Sequence, residues 1–424
     1  HLVQDLSFVI PTYDWWASPF YGIGMKIYDM MAGKLGLGKS EIISKEETEK
    51  LIPNISKKGL RGGVIYHDGQ FDDSRMAITL ALSADSKKTT LLNYCNVEGL
   101  IKKDGEIIGL NFTDLINSKK YQIKSKVVIN ATGVFAEEII RMDQPKIEKM
   151  IQPSQGVHIV LERRFLKSKH AILIPQTSDG RVLFAVPWKN YVVVGTTDTH
   201  VKKASEEPKA LNEEIDFILK NAAKYMSVKP KRDDIKSVFA GLRPLAATSN
   251  KQSTKEVSRS HKIDISPSGL ISVLGGKWTT YRKIAEDALN TAISINKLKK
   301  KKCKTERTKL FGFKRNVSWS DPMHVYGSMK KKVESLGGVN DNKSLSKKFY
   351  VSNNIIEWSI IHEMALTVED ILARRTRCVF LDSKESKRIA PVVAQKMADV
   401  LGEDDKWIDA ELKKFNKLIK NYIV

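Results

Sequence analysis

Residues 271–282 combine a short apolar run, two glycines, a lysine and the start of a helical pattern. This order predicts a strand, a turn and a helix capped by Thr279 or Thr280. The amino end of a helix offers free N–H groups and the positive end of its dipole, so this segment is suited to bind an anion. Lys277, which lies between the glycines and the helix, would add positive charge to such a site.

Arg243 is a second candidate for anion binding. It follows an apolar strand predicted at 237–242 and precedes Pro244, which restricts the backbone at the turn. Arginine presents a planar fork of N–H donors that matches a phosphate group, so Arg243 is a candidate anchor for a phosphorylated ligand. A surface arginine without a ligand is the alternative.

Two other polar residues have open interpretations. His158 lies within a strand of alternating pattern, where a structural histidine is more common than one that transfers a proton. Thr197 follows the buried strand predicted at 191–196, and a turn role and a direct contact with substrate fit that position equally well.

Residues 33–40 match the phosphate-loop pattern G-x-x-x-x-G-K-S. Such a loop must follow a buried strand and open a helix. Here the preceding apolar residues have helical spacing, and a new helix start with capping-box spacing begins at Ser44. We therefore reject nucleotide hydrolysis.

The chain has 424 residues, a formal charge of +22 and three cysteines. Its length can bury a core in two or three domains. Cys95, Cys303 and Cys378 show no metal or redox spacing, which suits a reducing compartment and predicts no metal site. No apolar run is long enough to span a bilayer. The basic residues are spread out, so solvated lysine faces explain the charge first, an anionic membrane surface second and nucleic acid last.

These segments resemble the FAD-dependent, quinone-linked glycerol-3-phosphate dehydrogenases. That family has G-[VL]-R-P-L, a [ST]-R dipeptide and G-G-K-x-T-T-Y-R in the order found here at 241–245, 258–259 and 275–282. The resemblance extends along the whole chain. Further segments similar to family signatures lie at 13–16, 21–24, 68–73, 130–133, 195–199, 367–370 and 373–377.

The resemblance implies oxidation of sn-glycerol 3-phosphate to dihydroxyacetone phosphate in glycerol catabolism, with FAD as cofactor. It makes Arg243, Arg259 and Lys277 the catalytic candidates that hold the substrate phosphate, with Thr197 as a further substrate contact. The case for Arg259 rests on its family position alone. The expected cofactor-binding residues are Ala131, Thr132, Gly133, Gly275, Gly276, Lys277, Trp278, Thr279 and Thr280.

The implied partners and location follow from quinone chemistry. Membrane quinone would accept the electrons, so we expect a cytoplasmic protein bound peripherally to the anionic surface of the inner membrane. A homodimer is possible, and no nucleic-acid partner is expected.

The implied fold is α/β, with a two-dinucleotide-type FAD-binding domain, an antiparallel-sheet substrate domain and a C-terminal helical domain. We predict six segments along the chain. They are a substrate-domain or cap segment (1–60), the later half of the FAD-binding domain (61–150), the antiparallel substrate domain (151–262), the return to the FAD-binding domain (263–296), a linker (297–317) and the helical domain (318–424).

Family members open with a strand, G-x-G-x-x-G and a helix that cradle the FAD pyrophosphate. That first βαβ unit is not found in residues 1–424. We therefore expect an N-terminally truncated protein that binds FAD poorly and is inactive on its own.

Two alternatives stay open at this point. A related FAD-dependent amine or amino-acid oxidase would share the fold but needs fewer cations directed at a phosphate. An inactive fragment that acts only through binding is the other alternative. The sequence also leaves open the general base, the choice between quinone and oxygen, and the oligomeric state.

Overall fold

The computed structural model describes residues 1–33, 36–247, 261–296 and 298–424. Within these ranges the strands form three sheets, and helices pack over them. The strands are β1 (Val3–Thr12), β2 (Glu41–Ser44), β3 (Gly62–Phe71), β4 (Cys95–Lys103), β5 (Glu106–Asp114), β6 (Lys120–Lys124), β7 (Ile129–Asn130), β8 (Ile151–Glu162), β9 (Ala171–Ile174), β10 (Leu183–Trp188), β11 (Tyr191–Gly195), β12 (Thr199–His200), β13 (Ser237–Ala246), β14 (His261–Ile265) and β15 (Ile271–Gly275). The α-helices are α1 (Ala17–Ala32), α2 (Lys45–Leu51), α3 (Asp73–Asp85), α4 (Ala136–Asp143), α5 (Asn212–Tyr225), α6 (Tyr281–Ile295), α7 (Lys330–Glu334), α8 (Asn353–Glu363), α9 (Cys378–Leu381), α10 (Ser383–Leu401) and α11 (Asp405–Leu418).

The largest sheet has nine strands in the order β12-β8-β11-β10-β9-β1-β3-β2, and β13 also pairs with β8. Its pairs are antiparallel except β1 with β9. The predicted boundary between residues 60 and 61 assigns β3 to the FAD-binding part, yet β3 pairs with β1 and β2 in this sheet. The domain boundaries stay a proposal.

Alternate side chains of the large sheet face two different layers. On one face, Ile159 and Val194 pack with Ile218 of α5 in a continuous apolar core. On the opposite face, Val160 packs with the C-terminal helices. Farther along that same face, Ile10 packs with the side chains of α1. The second face therefore has helices at both ends, and a cleft lies between them.

The part expected to bind FAD has two small sheets. One has the order β14-β15-β7, in which β15 and β7 are parallel, and the other is the antiparallel meander β4-β5-β6. Ile107, Ile140 and Leu274 form its core, which also involves α4. An Asp-Gly pair between two strand patterns predicts a hairpin turn at Asp104 and Gly105. The structure confirms it, with φ of 53° and 83°, as a two-residue type I′ turn requires.

The C-terminal helices are fixed to the rest of the molecule by a buried ion pair. Arg75 of α3 donates from Nη1 and Nη2 to the Glu363 carboxylate at the end of α8, at 2.6 Å and 3.1 Å. Trp358 Nε1 also donates to Glu363. Both members of the pair are buried, so the contact joins these two parts of the chain at one defined position.

The apolar patterns of the sequence predict a helix at 25–32, strands at 91–95 and 127–130, and a helix over 354–373. The structure gives these elements different bounds. Helix α1 begins at Ala17 rather than near Met25. The strand expected at 91–95 is wrong, because Tyr94 has a φ of 53° and β4 begins only after it. The strand expected at 127–130 is shorter, since only Ile129 and Asn130 pair with β15.

The long helix expected at 354–373 is also wrong. Helix α8 ends at Glu363 because Met364 adopts the left-handed conformation, with a φ of 58°. The backbone N–H groups of Leu366 and Thr367 donate instead to the carboxylate of Asp370. A separate short helical turn then spans Asp370–Arg375.

Candidate active site

Two glycine-containing loops lie side by side at one edge of the small parallel sheet. β7 and β15 are parallel, with Ile129 opposite Ile271 and Asn130 opposite Ser272. Their carboxyl ends therefore meet at the same edge, which is where ligands bind in open α/β sheets. The loop of Ala131, Thr132 and Gly133 follows β7, and the Gly275-Gly276 turn follows β15.

Buried Asn130 holds the first loop in place. Its Nδ2 donates to the Ala136 carbonyl at 2.9 Å and to Ser272 Oγ at 3.2 Å. Its Oδ1 accepts from Thr132 Oγ1 at 2.8 Å. One side chain thus connects the loop to α4 and to the neighbouring strand, which fixes the backbone near Gly133.

The backbone of both loops fits the close approach of a nucleotide. Gly133, Gly275 and Gly276 have φ of 61°, 69° and 92°, a region that favours glycine. Among the described residues, no heavy atom lies within 4 Å of the position that a Cβ on Gly133 would take. Together with the amino end of α6, this open surface can accept the phosphate or ring of FAD.

Lys277 follows the Gly-Gly turn, and its side chain is exposed. Trp278, Thr279 and Thr280 form a single 3-10 turn before α6. The predicted side-chain cap is wrong: Thr280 is the N-cap residue, but its Oγ1 donates to the Lys277 carbonyl at 3.0 Å instead of accepting from the helix. The first N–H groups of α6 therefore have no side-chain cap from this residue.

Trp278 connects this loop to the large sheet. Its ring lies 6.5 Å from the ring of Phe71, at the end of β3, and 5.2 Å from that of Tyr281. Phe71 also lines the cleft on the second face of the large sheet. The glycine loops and the cleft are consequently neighbours.

Arg243 lies within β13, which continues through Pro244 to Ala246, so the predicted end of the strand and the turn at Pro244 are wrong. β13 contacts both β15 and the turn that begins at Gly133. Nη1 of Arg243 donates to the Thr197 carbonyl at 3.2 Å, and its Nη2 donates to Thr196 Oγ1 at 3.1 Å. The Asp198 carboxylate lies 3.7 Å from Nη1. These contacts orient the guanidinium against the segment from Thr196 to Asp198.

Three glycines lie close to Arg243 on the same face of the large sheet. In the strand register, Gly241 of β13 is opposite Gly156 of β8, and Gly195 of β11 is opposite His158 of β8. Because side chains alternate, Gly241 and Arg243 face the same side, as do Gly156 and His158. We call Gly156, Gly195 and Gly241 the glycine floor.

His158 borders the glycine floor. Its ring stacks on Phe239, with centroids 5.2 Å apart and an interplanar angle of 15°. Burial, and then the charge of Arg243, lower the pKa of His158 to about 4. The imidazole is therefore neutral near pH 7, and with Gly195 and Phe239 it lines a cleft of about 360 Å³.

Thr197 is buried, and its hydroxyl is used within the protein. Its Oγ1 donates to the Glu214 carboxylate at 2.7 Å and accepts from the backbone N–H of Val157 at 3.0 Å. Glu214 also accepts from Thr199 and Gln155. This geometry favours the turn role, while the carbonyl of Thr197 helps to orient Arg243. A substrate contact by Thr197 stays a prediction.

The structure places the strand of Arg243 against β15 and against the turn that begins at Gly133, and Lys277 follows the Gly-Gly turn after β15. Arg259 lies outside the described residues, so its place in this region stays a prediction. The sequence did not assign His158 or the glycine floor to the site. The strand register that places Gly156 opposite Gly241 identifies these residues, and this register is known only once β8 is seen to pair with β13.

Two family models match the chain. One is described as FAD dependent oxidoreductase and matches residues 19–282. The other is described as the C-terminal domain of alpha-glycerophosphate oxidase and matches residues 271–408. The matched ranges include both glycine loops, the glycine floor and the helices beyond them.

Relatives and a solved structure point to the same group. Mitochondrial glycerol-3-phosphate dehydrogenase of Schizosaccharomyces pombe is 34% identical over all of this chain and 74% of its own length. The Bos taurus enzyme of the same name is 33% identical over 99% of this chain, which spans 62% of that relative's length. The glycerol-3-phosphate dehydrogenase of Bacillus halodurans complexed with FAD has the same fold, with a TM-score of 0.81 at 24% identity over 100% of this chain and 83% of that one.

The chain is a member of the FAD-dependent oxidoreductases, and among them it belongs to the FAD-dependent glycerol-3-phosphate dehydrogenases. This confirms the family inferred from the motifs and the predicted fold class, with its FAD-type sheet, antiparallel sheet and C-terminal helices. In the part of the chain that the structure describes, no helix has the length and apolar character needed to cross a membrane.

Proposed function

We propose that this protein oxidises sn-glycerol 3-phosphate to dihydroxyacetone phosphate with FAD as cofactor. The observation that supports this most directly is the placement of Arg243. Its guanidinium is oriented by Thr196 and Thr197 on a strand that contacts the turn at Gly133 and the strand before Gly275. Arg243 would thus bind the substrate phosphate close to the surface that fits FAD.

Arg243 and Lys277 would hold the phosphate from two sides. The planar guanidinium can donate two parallel hydrogen bonds to phosphate oxygens. The exposed Lys277 ammonium is a point charge on the adjacent loop. Arg259 would be the third cation by its family position. Together they favour a phosphorylated alcohol over an uncharged one.

Bound FAD would supply the chemistry of accepting a hydride from the substrate carbon. The chain's own residues would bind and orient it. The backbone from Ala131 to Gly133 and the Gly275-Gly276 turn would allow its close approach, and the amino end of α6 would stabilise negative charge on it.

His158 would hold the reacting hydroxyl. At neutral pH its ring carries one nitrogen without a proton, because burial lowers its pKa to about 4. That nitrogen can accept a hydrogen bond, and then the proton, from the hydroxyl group of an alcohol in the cleft. This would give a residue of the large sheet the role of the base.

The protein would bind peripherally to a membrane through α1. Apolar side chains along one stripe of this helix are exposed, with Phe20 and Ile23 each 63% and Met31 80% accessible. Trp15, just before the helix, is 78% exposed. An exposed apolar helix with aromatic residues at its end is typical of a helix that lies in the membrane interface. The +22 charge of the chain would add attraction to anionic lipids.

Contact with a membrane would give access to quinone as the electron acceptor, and the reaction would serve glycerol catabolism at the inner membrane. Assembly as a homodimer stays a prediction.

Steady-state kinetics with an artificial electron acceptor test the proposed reaction. The FAD-loaded protein should oxidise glycerol 3-phosphate far more efficiently than glycerol. Adding quinone in vesicles then tests the acceptor. Oxidation of amines or amino acids with no activity on glycerol 3-phosphate would contradict the assignment.

A further inference from the structure

The glycine floor has a property that the phosphate-binding residues do not explain. On this face of the sheet, glycine occupies three neighbouring positions on β8, β11 and β13. Arg243 lies four positions beyond Phe239 along β13, which is about 14 Å at 3.4 Å per residue. Gly241 lies midway between them along the strand, between the Phe239 ring, which stacks on His158, and Arg243.

The three glycines differ in what a side chain at each position would meet. A Cβ on Gly195 would collide with the His158 ring, and a Cβ on Gly156 would lie 2.5 Å from Nη2 of Arg243. Both glycines are thus required to seat a neighbouring side chain. Gly241 differs, because no heavy atom of the described residues lies within 4 Å of the Cβ it would carry. Its φ is also not in the left-handed region, so the fold does not require glycine at this position.

We propose that Gly241 determines substrate size, because the carbon skeleton of a small phosphorylated polyol lies on the glycine floor directly over it. This rests on the proposed function. Arg243 at one end of the floor would hold the phosphate, and the His158 nitrogen at the other end would hold the hydroxyl to be oxidised. Between them the ligand must come within van der Waals distance of the sheet, and a side chain at position 241 would occupy that space.

Two alternative explanations of Gly241 predict something else. If this glycine were needed for the backbone, replacement would lower thermal stability, as when Ala is forced into a left-handed conformation. If the floor seated the cofactor rather than the substrate, replacement would release FAD. If the substrate lies on the glycine floor, replacement of Gly241 weakens substrate binding while thermal stability and FAD content stay unchanged.

The test compares Gly241→Ala and Gly241→Val with the unchanged FAD-loaded protein. The matched control is Gly99→Ala on β4, where a Cβ would make only an ordinary contact at 3.7 Å. We expect Gly241→Ala to raise the KM for glycerol 3-phosphate about tenfold and to weaken calorimetric binding of dihydroxyacetone phosphate by a similar factor, which corresponds to about 1.4 kcal/mol. Gly241→Val should lose more, and the melting temperature and flavin absorbance should not fall.

Each other outcome overturns the inference. Unchanged KM and product binding in both variants would mean that no ligand lies over Gly241. Loss of flavin absorbance would assign the floor to the cofactor, and a lower melting temperature in Gly241→Ala would assign the glycine to folding. The unchanged protein tests the proposed function separately, since a preparation whose flavin absorbance shows bound FAD but which does not oxidise glycerol 3-phosphate would contradict that function whatever the variants do.

Discussion

The guanidinium of Arg243 lies directly against Gly156 of the neighbouring strand. A Cβ on Gly156 would fall 2.5 Å from Nη2 of Arg243 and 2.6 Å from Thr196 Oγ1. Arg243 and its hydrogen-bond partner Thr196 therefore occupy the space that a side chain on β8 would fill. The position of the proposed phosphate anchor depends on the absence of a side chain one strand away.

This relationship predicts the effect of Gly156→Ala. The added methyl group would displace the guanidinium from its place beside the floor. A charge-assisted hydrogen bond contributes roughly 1.5–3 kcal/mol, so kcat/KM for glycerol 3-phosphate should fall about ten- to a hundredfold. Steady-state kinetics measure this, with Gly99→Ala as control. Full activity in Gly156→Ala would show that the guanidinium position is not important.

The exposed face of α1 predicts where the protein meets the membrane. Phe20→Glu and Ile23→Glu place a charge where apolar area would enter the interface, so sedimentation with anionic vesicles should drop several-fold. Ile361→Glu is a matched control, because Ile361 is 55% exposed but lies on α8. Equal losses in all three variants would contradict a specific role for α1.

Membrane binding should also depend on salt and on lipid charge. The charge of +22 predicts attraction to anionic lipids, which weakens as salt shortens the screening length. Sedimentation at low and high salt, with neutral and anionic vesicles, measures this. If binding were equal under all four conditions, the apolar face of α1 would be the whole cause of binding.

The buried pair of Arg75 and Glu363 predicts a large loss of stability. The charge of Glu363 raises the pKa of Arg75 despite the opposing effect of burial, so the guanidinium stays charged. Removing one partner leaves the other charge unpaired, and Glu363→Leu should cost about 3–5 kcal/mol in the free energy of unfolding.

Urea unfolding of Arg75→Met, Glu363→Leu and the double variant measures this coupling. The double variant should lose less than the two single variants combined. The control is Lys57→Met, which removes the ion pair of Lys57 with Glu49. These groups lie 2.6 Å apart, and the Lys57 side chain is 63% exposed. Its loss should lower the free energy of unfolding by less than about 1 kcal/mol. Additive losses for Arg75 and Glu363 would show that the pair is not coupled.

The low pKa of His158 predicts a loss of stability in acid. Its pKa is about 4 in the folded protein and 6.5 as a free side chain. Between these values the unfolded chain binds a proton that the folded protein does not. Stability therefore decreases as the pH falls from 6.5 towards 4, by roughly 2 to 3 kcal/mol from this residue.

Replacement with an uncharged ring removes this effect. The free energy of unfolding of His158→Phe should vary less between pH 7 and pH 4.5 than that of the unchanged protein. His200→Phe, at an exposed position, is the control for replacing a histidine with an uncharged ring. An equal pH dependence in His158→Phe and the unchanged protein would mean that His158 titrates normally.

The sequence predicted the elements of the site whose signals are local. The short apolar run predicted β15, the two glycines predicted the turn at Gly276, and the helical stripe predicted α6. A few residues are enough for these predictions, because apolar residues repeat at different intervals in strands and in helices. The hairpin turn at Asp104 was predicted for the same reason. Arg243 was found because it precedes a proline at the end of an apolar run.

Features that depend on distant pairing could not be predicted. The glycine floor requires the register of β8 with β11 and β13, and the sequence gives no direct measure of that register. The exposure of α1 depends on what packs against it, so its apolar residues were indistinguishable from a buried helix face. The break after Glu363 results from the left-handed Met364, a conformation that is uncommon for such a side chain.

The central claim is that Arg243 and Lys277, with Arg259, bind the phosphate of the substrate. The most direct measurement is the ratio of kcat/KM for glycerol 3-phosphate to that for glycerol in the FAD-loaded protein and in Arg243→Ala, Lys277→Ala and Arg259→Ala. We predict that each variant loses about one to two powers of ten on glycerol 3-phosphate and far less on glycerol, with the lowest kcat in Lys277→Ala. Equal losses on both alcohols in all three variants would contradict it, because the cations would then support the fold or the cofactor and not the phosphate.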